Sequence, residues 1–307
     1  MVQLTGRRRT ALAAVVGVVG GALLASGCGI VGSGSPSDRR ADLHAMLPER
    51  IRKAGVMTVG ASFTAAPVVY RNDRNEPDGL DPHLAEKLGA LLGVRLEFQD
   101  VGPFANVLPG LMDRKYDVAM SGITDTRERE QGLDKAGLRT SPGVDFVDYF
   151  MAGIGIAVDK GNPKGITEVE KLCGSTVTVK KGTTHDDLVT LQKAACDRDG
   201  HPLTIMETDS DAAALENLKG PADAFVTDYP KAVYAAQTVG NGTAFDIGGP
   251  QMQPRPFGIA LRKDDQQLRD VLMRAMNRLI TNGTYDQVLT EHKLTVGAIQ
   301  NSVTNGA

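Results

Sequence analysis

The sequence predicts an α/β fold of two lobes, each built on a mostly parallel sheet with helices on its faces, and a ligand cleft between the lobes. Three observations carry this expectation. Strand-like and helix-like segments alternate from residue 56 to 122, the order that builds a parallel sheet with helical cover. The same rhythm restarts at 175 and runs to 227. Between and after the two runs stand the extended apolar segments GIGIAV (153–158) and PFGIALR (256–262), which are expected to cross between the lobes as a hinge.

Taken in order, VMTVGAS (56–62) reads as a strand ending in small residues. Asp81 is expected to cap a helix with Pro82 at its first position. Leu84, Leu88, Leu91 and Leu92 then share one face, and Gly93 ends the helix. Val94, Leu96 and Phe98 alternate as a strand. Val107, Leu108, Leu111 and Met112 mark a second amphipathic helix, and YDVAMSG (116–122) a further strand. In the second run STVTVK (175–180), LTIME (203–207) and DAFVT (223–227) are strands. The helices between them carry Leu188, Leu191 and Ala195, then Ala212, Leu215 and Leu218. Two more helices, near 265–282 and 284–293, close the chain. The simplest arrangement is a discontinuous first lobe, 43–152 plus 258–307, with an inserted second lobe, 153–257.

Residues 1–28 read as a targeting segment and stay out of the fold. Arg7, Arg8 and Arg9 form a basic start, and residues 11–24 are all Ala, Val, Leu or Gly, a run too short to span a bilayer comfortably. The run ends in LLASGC, with Ala25, Ser26 and Gly27 directly before Cys28, the arrangement of a lipoprotein cleavage site. Lipidation of Cys28 would anchor the chain to the outer face of the cell membrane; an ordinary secretory peptide with an incidental cysteine is the alternative. The Gly-, Ser- and Pro-rich residues 29–42 read as a flexible tether. With 34 basic against 37 acidic residues and no basic run in the body, nucleic acid is not expected as a partner. Cys173 and Cys196 remain as a pair, expected to form one disulfide in an oxidising compartment. Two buried free thiols are the alternative. His83, His185 and His292 are scattered without metal-ligand spacing, and no catalytic triad or cofactor motif is present, so neither metal nor cofactor is expected. RNDRNEPDG (71–79) lacks the alternation of a calcium loop and reads as a surface turn.

Open α/β sheets bind ligands at the carboxyl ends of their strands, so the loops 62–67, 121–129, 182–185 and 228–230 are the ones to inspect. The second of them, SGITDTRER, offers hydroxyls at Ser121 and Thr124, a close backbone approach at Gly122, and at Arg129 a planar fork that matches a carboxylate. Arg129 would otherwise be a surface arginine paired with Glu128 or Glu130. GTT (182–184) leads into a helix whose free N–H groups suit an anion, although Thr183 and Thr184 also suit plain turn and cap roles. Asp228 is an anion able to bind an ammonium group, or merely the cap of the next helix. Lys180 and Lys181 read as solvated strand-end lysines, the alternative being reach to an acidic ligand side chain. Carboxylate binders opposed to one ammonium binder across a cleft are what an α-amino acid needs.

In order and spacing, GLDPHLAEKLGALLGVRLEF, PFANVLPGLMDRKYDVAMSGITDTRER, LCGSTVTVKKGTTHD and ADAFVTDYPKAV resemble the family 3 extracellular solute-binding proteins of polar amino acid ABC importers, across residues 57–293. The resemblance implies the type II periplasmic-binding-protein-like fold and a role in delivering a small polar amino acid, or a similar zwitterion, to an importer. It implies that Arg129 grips the ligand α-carboxylate with Ser121 and Thr124 beside it, and that Thr183 and Thr184 are the second lobe's share of that site. Asp228 becomes the ammonium partner. Phe104 matches an aromatic that packs on the ligand side chain; its plain reading is a first-turn core residue. The sequence departs from the family near the side-chain pocket. Ser62 stands where binders of basic amino acids often carry an aspartate, Ala65 replaces an aromatic, and the stretch EQGLDKAGLRTSPGV after Arg129 is longer than usual. An ABC transporter permease is the implied protein partner and a monomer the expected state. A periplasmic dehydratase-like enzyme on the same fold and a ligand sensor for a signalling partner are the competing functions.

Overall fold

The computed structural model describes residues 42–307, so the targeting segment with Cys28 and residues 29–41 of the tether lie outside the described residues. Helix α1 (Glu49–Ala54) ends on Gly55 in the left-handed region and leads into strand β1 (Val56–Ala61). The short strands β2 (Thr64–Ala65), β3 (Val69–Arg71) and β4 (Pro77–Asp78) form a small antiparallel sheet. The turn after β3 is the surface turn read from RNDRNEPDG, held by Asn72 Oδ1, which accepts from the amides of Arg74 and Glu76 at 3.0 Å.

Helix α2 (Leu80–Leu92) starts two residues earlier than expected, so Asp81 is not its cap. Gly79 takes that place at φ 112°, where a Cβ would lie 2.6 Å from the Val68 carbonyl oxygen. That leaves Asp81 free to turn its carboxylate inward. Leu84, Leu88 and Leu92 are fully buried as the helical period requires, each worth about 1.5–3 kcal/mol against exposure. Strand β5 (Arg95–Asp100), helix α3 (Val107–Met112) and strand β6 (Val118–Ala119) follow. Strand β6 is shorter than YDVAMSG suggested, because the chain leaves the sheet after Met120 to form the site loop. Helix α4 (Arg127–Gln131) precedes the 16-residue strand β7 (Val144–Asp159).

The second run gives β8 (Thr176–Lys180), α5 (Thr184–Arg198), β9 (Thr204–Thr208), α6 (Asp211–Leu218), β10 (Ala224–Asp228), α7 (Tyr229–Thr238) and β11 (Phe245–Ile247). The long strand β12 (Met252–Arg262) and helices α8 (Gln266–Thr281) and α9 (Thr284–Glu291) complete the chain. Leu191 is 72% exposed, against the face expected for α5. The inward face is set instead by His185, Val189 and Cys196, the last bonded to Cys173 in the expected disulfide.

The nine other strands join in one sheet, in the order β5-β1-β6-β12-β7-β10-β8-β9, with β11 added on β7. Pairing is parallel at both ends (β5/β1/β6 and β10/β8/β9) and antiparallel where β7 and β12 run alongside each other in the middle. This is the α/β architecture expected, with one continuous sheet in place of two. Its apolar cores are separate. One packs α2, α8 and α9 on β1, with Val147, Tyr149 and Phe150 of β7. Another gathers Ile156, Val158, Val177, Val189 and Val226 around β8 and β10. Among the described residues no helix is long and apolar enough to cross a membrane.

Candidate functional site

The carboxyl ends of β1, β6, β8 and β10 bring the expected residues together. Ser62, just past β1, is fully buried; its amide donates to Ser121 Oγ at 3.0 Å, and its hydroxyl pairs with Thr64 Oγ1 at 3.1 Å. Ser121, just past β6, is thereby tied across the two strand ends. Gly122 adopts φ +56°, and a Cβ there would crowd Val68 and Phe257 at 3.1 and 3.3 Å. Its amide donates to Asp81 Oδ2 at 2.8 Å, so that N–H is turned toward the core. Thr126 caps α4 through the Arg129 amide, and this aims the Arg129 side chain back over the loop. There Nη1 donates to the Thr124 carbonyl at 2.7 Å, the only side-chain hydrogen bond of Arg129 among the described residues. No ion pair links Arg129 to Glu128 or Glu130 among those residues. Burial pulls the guanidinium below its usual value, while Asp187 and Asp228 pull it back up.

From the other side, Thr183 caps α5: its Oγ1 accepts from the Asp186 amide at 3.2 Å and donates to the Lys180 carbonyl at 2.7 Å. Its hydroxyl is thus committed to the turn, whereas Thr184 occupies the first helical position, half-buried. Asp228 sits at the end of β10 and opens α7 without a side-chain capping bond. Its Oδ2 lies 2.7 Å from Lys231 Nζ and its Oδ1 3.5 Å from His185 Nε2. Asp211 extends the chain of charges, 3.8 Å from Lys231 and 3.1 Å from Lys180. All five side chains are buried. Burial pushes the Asp228 carboxyl up, but Lys231, His185 and Lys180 outweigh it and hold it below the usual carboxylate range. Burial alone would pull Lys231 down; Asp228 and Asp211 hold it above its ordinary value. Lys180 is drawn down to about 8, chiefly by burial, and burial also lowers His185.

The two sides meet at Phe104, which is 8% exposed. Arg129 Cζ lies 5.8 Å and Lys180 Nζ 5.3 Å from its ring centroid. Nearby, a Cβ on Gly182 would stand 3.1 Å from Ala105 Cβ, so the two loops approach closely. The long stretch after Arg129 carries Lys135, whose Nζ reaches Asp186 at 3.2 Å and Asp187 at 2.8 Å in the first turn of α5.

Several of these groups were missed or misread from the sequence. Lys180 is 3% exposed, against the solvated strand-end lysine expected, because Asp211 and Phe104 stand over the end of strand β8; Lys181 is exposed as expected. Lys231 was not singled out, although its place three residues after Asp228 on a helix is a spacing at which charges meet. Asp125 and Asp148 form a buried carboxylate pair behind the clamp, legible only once β7 is laid beside the site loop. His83 and His292, scattered in sequence, lie 2.7 Å apart between ring nitrogens. Among the described residues no group of three or more His, Cys, Asp or Glu is fit to hold a metal ion.

The chain is 26% identical over 310 residues to an arginine-binding protein of Corynebacterium glutamicum, covering 97% of this chain and 96% of the relative. An ancestral arginine-binding protein solved with arginine superposes with a TM-score of 0.68 at 30% identity, covering 77% of this chain and 97% of the other. An ancestral amino acid-binding protein, a precursor of cyclohexadienyl dehydratase, gives 0.68 at 28% identity, with 79% and 97% covered. The family model of bacterial extracellular solute-binding proteins, family 3, matches residues 57–294, and the chain belongs to that family.

Proposed function

We propose that the chain is an extracytoplasmic binding protein that catches an α-amino acid between two lobes, 43–152 plus 258–307 and 153–257, and delivers it to an ABC importer. The observation that carries this reading is Arg129. It is half-buried on helix α4 with one side-chain hydrogen bond among the described residues, which leaves most of its donor fork for a carboxylate, and Asp228 is near enough to raise its hold on its proton. The relatives, which bind amino acids by name, support the ligand class. The separate apolar cores on either side of the paired crossing strands support the lobe boundaries.

On this reading Ser121 and Thr124 line the carboxylate site from the first lobe, and the α5 N-terminus with Thr184 lines it from the second. Asp228 shares its charge between Lys231 and the ligand ammonium. Closure removes water and strengthens these ion pairs, and the closed form is what a permease recognises. Lipid on Cys28 would hold a monomer at the membrane within reach of that permease. Binding rather than catalysis is the proposed activity: Asp125 holds its proton strongly, as a general acid does, but it is fully buried beside Asp148.

The test is calorimetric titration of wild type and Arg129→Ala with a panel of L-amino acids. Removing a desolvated charge-assisted pair is expected to weaken binding by about 100-fold or more, with an unchanged circular dichroism spectrum. Equal affinities in the two proteins would refute the role of Arg129.

A further inference from the structure

We propose that the ligand carries a second carboxylate, as acidic amino acids do, and that Lys180 reads it; this rests on the amino-acid-binding role above. Lys180 Nζ is buried and reaches within 5.3 Å of the Phe104 ring centroid, on the ring that also carries Arg129 Cζ at 5.8 Å. A ligand side chain packed on Phe104 therefore lies between two cations. The ammonium of Lys180 stands 3.1 Å from Asp211 Oδ1, within ion-pair distance, yet its geometry makes no hydrogen bond, and Nζ has no other partner among the described residues. A buried ammonium whose single carboxylate contact is shared favours a further acceptor, and an anionic one above a neutral one. Asp211 is also shared with Lys231, so it neutralises Lys180 only in part.

The opposite wall does not suit a basic side chain. Ser62 stands there where binders of basic side chains often carry a carboxylate, and its hydroxyl pairs with Thr64. The buried carboxylate of Asp81 is taken up by the Tyr149 hydroxyl at 2.6 Å and the Gly122 amide at 2.8 Å. A guanidinium or ammonium on the ligand would thus meet Arg129 and Lys180, and Asp81 is already engaged. The specificity of this chain departs on that ground from the arginine-binding relatives it resembles in fold.

L-Glutamate and L-glutamine test the idea in the unmodified protein, since they differ by one charge at nearly constant shape, with L-aspartate and L-arginine as the flanking cases. Calorimetric titration should give glutamate or aspartate a Kd at least about 10-fold below those of glutamine and arginine, the scale of one desolvated charge pair. Lys180→Met, which keeps the stem and removes the charge, should bring the glutamate and glutamine affinities within about threefold of each other. Tighter or equal binding of glutamine or arginine by the wild type overturns the proposal and leaves the binding-protein role standing. An unchanged glutamate preference in Lys180→Met overturns the role of Lys180. Failure of every α-amino acid to bind removes both readings.

Discussion

On the proposed reading, Asp228 has to be held ionised in a buried place before any ligand arrives. Lys231 does this from the next turn of the same helix, at 2.7 Å, and His185 completes the environment without adding a full charge, since burial lowers its affinity for a proton. Removing one member of such a pair leaves an uncompensated buried charge. Lys231→Met is therefore expected to destabilise the fold by about 3 kcal/mol, as measured by urea denaturation. A loss below about 1 kcal/mol would place Asp228 in contact with water, as an exposed pair would be. At this scale the positions of the polar groups were legible, because strand-end loops of an α/β fold collect ligand-binding residues. Their partners were not legible. That Thr183 spends its hydroxyl on its own turn, while Lys180 is dry, depends on where β8 stops relative to the neighbouring loops.

Among the elements, the segment between Arg129 and β7 has the most individual shape. Leu133 pairs with Arg139 in an isolated bridge, and Lys135 extends from the turn to the first residues of α5. Two aspartates at a helix N-terminus already suit its dipole, and the lysine ties them to the segment after Arg129. Its side chain is 60% exposed, so the link is weak and screened by salt. Lys135→Ala is expected to raise the ligand Kd about two- to fivefold at low ionic strength, and by less in about 0.5 M salt. A salt-independent change would assign Lys135 a packing role instead. The extra length of this stretch was visible in the sequence. Its reach across the cleft was not, since nothing local to 130–144 specifies which helix will stand opposite.

For the whole molecule, the C-terminal residues 302–306 close along β7: Ser302 Oγ donates to the Asp148 carbonyl at 2.6 Å and the Gly306 amide to Asp148 Oδ2 at 3.1 Å. This covers the pair Asp125 and Asp148. Burial, then Asp148 and Glu130, push Asp125 up to about 8, and burial pushes Asp148 up to about 6. A carboxyl that holds its proton to about 8 when folded, but releases it near 4 when unfolded, makes stability fall as pH rises between those values. Asp125→Asn carries no such proton. It should melt above the wild type at about pH 8, with the advantage shrinking toward about pH 5, by scanning calorimetry. A difference constant across that range would mean that Asp125 is ionised throughout.

What the sequence determined by itself is the alternation of elements and the strand-end loops that hold the candidate site; it offered the pairing of its two body cysteines, which the structure shows. Each follows from short-range causes: the period of apolar residues, the small residues that end helices and strands, and a cysteine count. The tertiary structure alone decided which polar groups are dry. Burial of Lys180, the inward turn of Asp81 and the meeting of Asp125 with Asp148 arise from segments up to about 70 residues apart, brought together when β7 and β12 join the two halves of the sheet. Desolvation is a property of that assembly, and the chemistry of a buried charge follows from it.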